Sequence, residues 1–148
     1  MHGGTVQLIN TDIIFQGGRL TYSGVSRIDP SRPARDVHET GLSLRLEVHD
    51  TEGNALNILI AGDQRYDYVD HAQFQDLDIL VASHHGGTYC WSVHGRVPTA
   101  KSMSSIVIYS YGRGNTYHHP NTADYSVANW GQNHHTSISS DYEIKILF

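Results

Sequence analysis

A single cysteine, Cys90, excludes an internal disulfide in this chain of 148 residues and agrees with a reducing compartment. Positive charge is also scarce. Ten Lys plus Arg stand against fifteen Asp plus Glu, a net charge of −5, which excludes nonspecific packaging of a polyphosphate unless a metal ion or a local basic patch intervenes. No run approaches the ~18 consecutive apolar residues that a membrane span needs. Met1-His2-Gly3-Gly4 lacks the basic-then-apolar pattern of a secretory signal. The expectation is therefore a soluble, cytoplasmic protein with no membrane segment. There is no internal repeat and no low-complexity tract, and the four prolines punctuate the chain without forming a linker. What is present, 39% hydrophobic and 17% charged residues, is the composition of a folded chain, read here as one domain over residues 1–148. The eleven histidines are the excess that composition leaves unexplained.

Residues 5–15 and 20–28 read as two strands around Gly17-Gly18, and residues 29–40, with two prolines and several charges, as a surface loop. Leu42, Leu44, Leu46 and Val48 alternate with polar residues, the period of a half-buried strand. A turn over residues 50–54 joins it to the more continuously apolar LNILIA, residues 56–61, so the two form a hairpin that delivers Gly62-Asp63 to its end. Residues 64–75 carry no breaker and read as a helix. Residues 79–82 and 104–111 read as buried strands. Asn121 is placed to cap a helix over residues 122–130, and residues 136–139 and 142–147 read as closing strands. Strands alternating with helices indicate an α/β domain, a mixed sheet with flanking helices.

Three polar clusters follow these buried strands directly: Gly62-Asp63, Ser83-His84-His85-Gly86 and Tyr117-His118-His119-Pro120. Side chains leaving neighbouring strands at one sheet edge can converge there, and one acid with several imidazoles suits Zn²⁺, or Mn²⁺ and Fe where oxygen ligands dominate. By local geometry alone Asp63 reads equally as a turn or N-cap residue, and His84-His85 as a surface pair. The glycines that follow His85 imply a close backbone approach. His94, His134 and His135 read as solvated loop residues, His2, His49 and His71 as surface residues, and Tyr109, Tyr111 and Tyr117 as packing residues with polar tips.

In order, LNILIAGD, DLDILVASHHGG and IVIYSYGRGNTYHHPN resemble the second half of a metallo-β-lactamase-fold hydrolase, in the branch containing the soluble domain of the competence protein ComEC. The resemblance covers roughly residues 36–148. It implies the C-terminal half of an αβ/βα sandwich and, in a complete domain, two ions, Zn²⁺ or Mn²⁺. Asp63 falls on the family's bridging ligand and His84 on a ligand of the second metal, with His85 beside it. His119 falls on the histidine of a His-Pro motif near the metals, where it contacts substrate phosphate. Asn115, Tyr117 and His118 belong to the same motif and are assigned to substrate binding. His38-Glu39 stands where the branch carries Asn-Glu.

Two departures matter. The first-half motif His-x-His-x-Asp-His, which supplies most of the metal ligands, occurs nowhere in the chain, and Gly87 replaces the usual Ser after His-His-Gly. Two readings follow. In one, a missing N-terminal half or partner subunit completes a hydrolase acting on a phosphodiester, nucleic acid included, or a related ester, with Asp63 and His119 as its catalytic residues here. In the other, the chain is a degenerate or truncated module acting in protein interaction.

Overall fold

The structure is a computed structural model and describes residues 12–15, 18–23, 43–49, 52–66, 69, 71–87 and 97–137. The expectations for residues 29–40, His2, His38, Cys90, His94 and 142–147 lie outside them. Seven strands form one sheet in chain order: β1 (Asp12–Phe15), β2 (Gly18–Ser23), β3 (Ser43–His49), β4 (Ala55–Ile60), β5 (Ile79–Val81), β6 (Ile106–Tyr109) and β7 (Gln132–His135). β1 to β4 pair antiparallel and β4 to β7 pair parallel, so β4 carries one ladder of each kind. This is an α/β arrangement on a mixed sheet with few helices.

The period-two reading of β3 holds. The β3–β4 hairpin places Leu44 opposite Ile60, Leu46 opposite Ile58 and Val48 opposite Leu56, a run of apolar cross-strand pairs on one face. The register carries that face on through Ile79, Val81, Ile106 and Ile108. Most of these residues are half-buried, and Ile60 is 39% exposed. The opposite face holds the core. Leu59, Leu80 and Val107 share a row across β4, β5 and β6, and Tyr66, Tyr109, Tyr125 and Trp130 close over it. Each of these four aromatics is fully or almost fully buried and contributes about 2–3 kcal/mol of apolar burial. The Trp130 indole N–H donates to the Pro98 carbonyl at 2.7 Å, so its polar atom is satisfied.

Three local expectations are corrected. Among the described residues of 64–75 there is no α-helix. The described part contains a 3-10 turn, His71–Phe74, and side chains from elsewhere in the fold bond carbonyls at both ends of the segment. The Arg45 guanidinium donates to the carbonyls of Gln73 and Gln75 at 2.9 and 3.0 Å, and the Ser83 hydroxyl donates to that of Gln64. The helix after Asn121, α1 (Thr122–Val127), stops short of Trp130. Asn129 turns left-handed, and the Trp130 N–H returns to the Tyr125 carbonyl. Asn121 occupies the N-cap position but donates to the Asp124 carboxylate at 2.7 Å instead of capping the backbone. Lastly, His134 and His135 lie in β7, not in a loop. Pairing with β6 makes this strand from the sequence QNHH, which has no apolar period of its own. No helix among the described residues is long and apolar enough to cross a membrane.

Candidate functional site

Because β4, β5 and β6 run parallel, their carboxyl ends share one sheet edge, where α/β sheets place ligands. Asp63 sits in the turn after β4, where the Gln64 N–H bonds back to the Ala61 carbonyl at 3.3 Å. It is a turn residue by backbone. The His84 N–H donates to the Gly62 carbonyl at 2.9 Å, tying the turn after β5 to the turn after β4. The Asn121 N–H donates to the Gly86 carbonyl at 2.9 Å, tying the loop after β6 to the same turn. Backbone hydrogen bonds therefore knit the three predicted clusters together before any side chain is considered.

The side chains follow. The His84 and His119 rings meet edge to face with centroids 5.3 Å apart, and His85 lies 5.9 Å from His84 and 6.4 Å from His119. Asp63 Oδ1 is 3.9 Å from His85 Nε2, with the two side chains 61% and 45% exposed, so the ion pair itself is worth little. His84, His85 and His118 are three of the five described non-glycine residues with left-handed backbone. Such conformations cost about 1–3 kcal/mol each and concentrate where a site imposes them.

The glycines explain themselves at atomic level. A Cβ on Gly87 would lie 2.3 Å from His119 Cε1 and 2.6 Å from its Nδ1, so the imidazole occupies the space that a serine would need. A Cβ on Gly86, whose φ is +84°, would meet the buried Tyr109 ring at 2.6 Å and Pro120 Cβ at 2.7 Å. Asn115 completes the support: its amide donates to the His119 carbonyl at 3.2 Å, and its oxygen accepts the Tyr117 N–H at 2.9 Å. Tyr117, 79% exposed, stacks on His119 at 18° with centroids 6.0 Å apart. His118 is exposed.

Burial first, then the neighbouring His85 and His118, holds His119 below the ordinary imidazole value of 6.5. Burial and then His134 act on His135 in the same direction. Both rings are neutral at neutral pH. One carboxylate and three imidazoles are the donor types that divalent ions take, so the chemistry of the set fits. As packed, the rings lie against one another, and among the described residues no three His, Cys, Asp or Glu side chains converge on a single ion position.

Beside these residues opens a cleft of about 870 Å³, lined by His84, His85, His119, Thr136 and residues 110–117. Sequence reasoning missed two of its features. Among the described residues Arg113 is its one Lys or Arg, and none of those lining it is a carboxylate. Tyr111 lines it with its hydroxyl 2.9 Å from His135 Nδ1. The polar strand QNHH gave no signal that His135 would come so near. His49, bonded to Glu47 at 2.7 Å, and His71, stacked on Phe74, take no part. No protein-family model, curated protein or solved structure matches this chain.

Proposed function

We propose that this chain supplies one side of a metal-dependent hydrolase site acting on a phosphodiester or related ester, as the C-terminal half of a metallo-β-lactamase-type sandwich. One observation carries the reading: Asp63, His84 and His85, placed just past parallel strands, and His119, from the loop after β6, gather at one sheet edge beside an open cleft. The half-buried apolar face of Leu44, Leu46, Ile58, Ile60, Val81 and Ile108 adds support, because a sandwich packs a second sheet on such a face.

Asp63, His84 and His85 would hold the ions. A bound Zn²⁺ or Mn²⁺ supplies a water of lowered pKa and a positive charge for the developing oxyanion. His119 is neutral and restrained by Gly87 below, Tyr117 above and Asn115 at its carbonyl, so it can offer an N–H to a phosphoryl or leaving oxygen without reorienting. The ligand set is completed by a His-x-His-x-Asp-His element from a partner half. Calorimetry with Zn²⁺ should show weak binding to this chain that Asp63→Ala and His84→Ala each remove. Binding unchanged in both variants overturns the assignment.

The second reading, a module acting in protein interaction without catalysis, is favoured by the absence of three convergent donors among the described residues. It expects no Zn²⁺ binding above that of the Asp63→Ala and His84→Ala variants and no metal-dependent turnover of bis-p-nitrophenyl phosphate when a first half is supplied.

A further inference from the structure

The cleft has a wall that the site above leaves unused. Tyr111 leaves the end of β6, and both its peptide groups are held by one side chain. The Thr136 hydroxyl accepts the Tyr111 N–H at 2.9 Å and lies 2.9 Å from the Tyr111 carbonyl, to which it donates. The Thr136 N–H adds a bond to the Tyr109 carbonyl at 3.1 Å. The phenol ring therefore starts from a fixed backbone, and its hydroxyl meets His135 Nδ1 at 2.9 Å with the two rings edge to face, 5.8 Å and 84°. His135 is in turn packed against Tyr109, centroids 5.0 Å apart. Tyr109 is fully buried and spends its own hydroxyl on Asn133 at 2.9 Å. Tyr109 is thus structural. Tyr111 lines the cleft, and His135 does not line it.

The lining also differs in charge from the rest of the molecule. A chain of net charge −5 presents here, among the described residues, one guanidinium, Arg113, with imidazoles and hydroxyls and no carboxylate. Such a wall favours an anion rich in hydrogen-bond acceptors.

We infer that Tyr111 is a ligand-contacting residue of this cleft, donating its hydroxyl to an oxyanion of the phosphate class alongside Arg113, and that His135 is the positioning residue that orients it. A neutral imidazole with its proton on Nδ1 donates to the phenol oxygen, which leaves the phenol O–H to turn to the ligand. No proton changes owner in this arrangement. The inference rests on the proposed hydrolase reading only for the choice of phosphate as ligand, and it requires no metal.

The test is an NMR titration of the full chain, with chelator present, using inorganic phosphate and dimethyl phosphate as separate probes. Thermal melts are run on every variant. The wild-type chain should bind at least one probe at millimolar concentration. Tyr111→Phe should weaken that binding about tenfold with its melt unchanged, the size expected for one hydrogen bond to a charged group. His135→Ala should weaken it by a smaller factor, about three- to fivefold, and His135→Gln, which can still donate to the phenol, should recover part of the loss. Equal binding by wild type and Tyr111→Phe overturns the inference, as does no binding of either probe by the wild type. If His135→Ala shifts the melt but not the affinity, His135 is structural and the positioning role falls. Because chelator is present, loss of Zn²⁺-dependent turnover in other experiments bears on the hydrolase reading alone.

Discussion

The two limbs of the sheet share β4 and differ in direction. In the antiparallel limb, β1 to β4, successive strand ends fall on alternate edges, so residues that follow the strands are dispersed. In the parallel limb, β4 to β7, the ends fall on one edge, and Asp63, His84, Tyr111 and Thr136 follow within a few residues of their strands. The antiparallel limb accordingly contributes structure. Arg45 on β3 donates at 2.7 Å to Asn57 and spends its remaining reach on carbonyls of residues 73 and 75. All of the candidate chemistry sits on the parallel limb. Direction of travel, more than residue type, separates a histidine such as His49, paired with Glu47 on β3, from His84.

The largest expected effect breaks that division at its functional end. In an assembly completed by a first half, Asp63→Ala should lower metal-dependent cleavage of bis-p-nitrophenyl phosphate at least ~100-fold, since a lost ligand leaves the ions poorly fixed. His71→Ala, remote from the cluster, should leave the rate within about twofold, the range of an ordinary surface substitution. Turnover retained in the Asp63→Ala assembly refutes the placement. On the structural side, Arg45→Met should destabilise the chain by ~2–4 kcal/mol in urea unfolding, because the carbonyls of Gln73 and Gln75 and the buried Asn57 lose a charged donor together. Zn²⁺ affinity of the folded fraction should not change.

Two adjacent glycines sharpen the comparison within one turn. Gly86→Ala drives a Cβ into the buried Tyr109 ring from a left-handed backbone and should cost ~2–3 kcal/mol. Gly87→Ala meets only the His119 ring, which can swing toward the cleft, so its stability loss should stay under ~1 kcal/mol. The displaced His119 should then titrate closer to the ordinary imidazole value, and an NMR titration of the ring protons reads that directly. The smallest effect is on pH. His119 and His135 both sit below 6.5 in the folded chain, so the unfolded chain binds more protons just below that pH. Unfolding free energy should therefore be fully present above about pH 6.5 and decline as pH falls through the lowered folded values. His119→Gln should flatten part of that decline in urea titrations across pH.

The sheet was legible where a strand pairs on apolar terms. The alternation Leu42, Leu44, Leu46, Val48 and the run LNILIA placed β3 and β4 within a residue or two. That Asp63 and His84 reach one sheet edge was legible because each follows a buried strand within three residues; His119, ten residues past β6, is brought there by the loop that the Asn121 N–H ties to the Gly86 carbonyl. Residues 64–75 misled because partners 19 or more positions away, which no local pattern reports, shape them: Ser83 bonds the Gln64 carbonyl that a helix would give to residue 68, and Arg45 bonds the carbonyls of Gln73 and Gln75. His135 was illegible for the same physical reason: β6 and Tyr109 hold it in the sheet. Its own neighbours carry no apolar period. Gly87 was legible as a close approach, but not the identity of what approaches.

The two ladders on β4 also imply an order of events in time. The β3–β4 hairpin closes over residues 50–54, whereas β4 meets β5 across residues 61–78. Loop-closure entropy favours the shorter loop, and contacts distant in sequence are slow to form. The hairpin is thus the natural nucleus, and the parallel ladders dock onto β4 afterwards. Destabilising substitutions in the hairpin should chiefly slow refolding, while those around His84 and His119 should chiefly accelerate unfolding. The edge that gathers the histidines would then be among the last parts of the protein to assemble and the first to come apart.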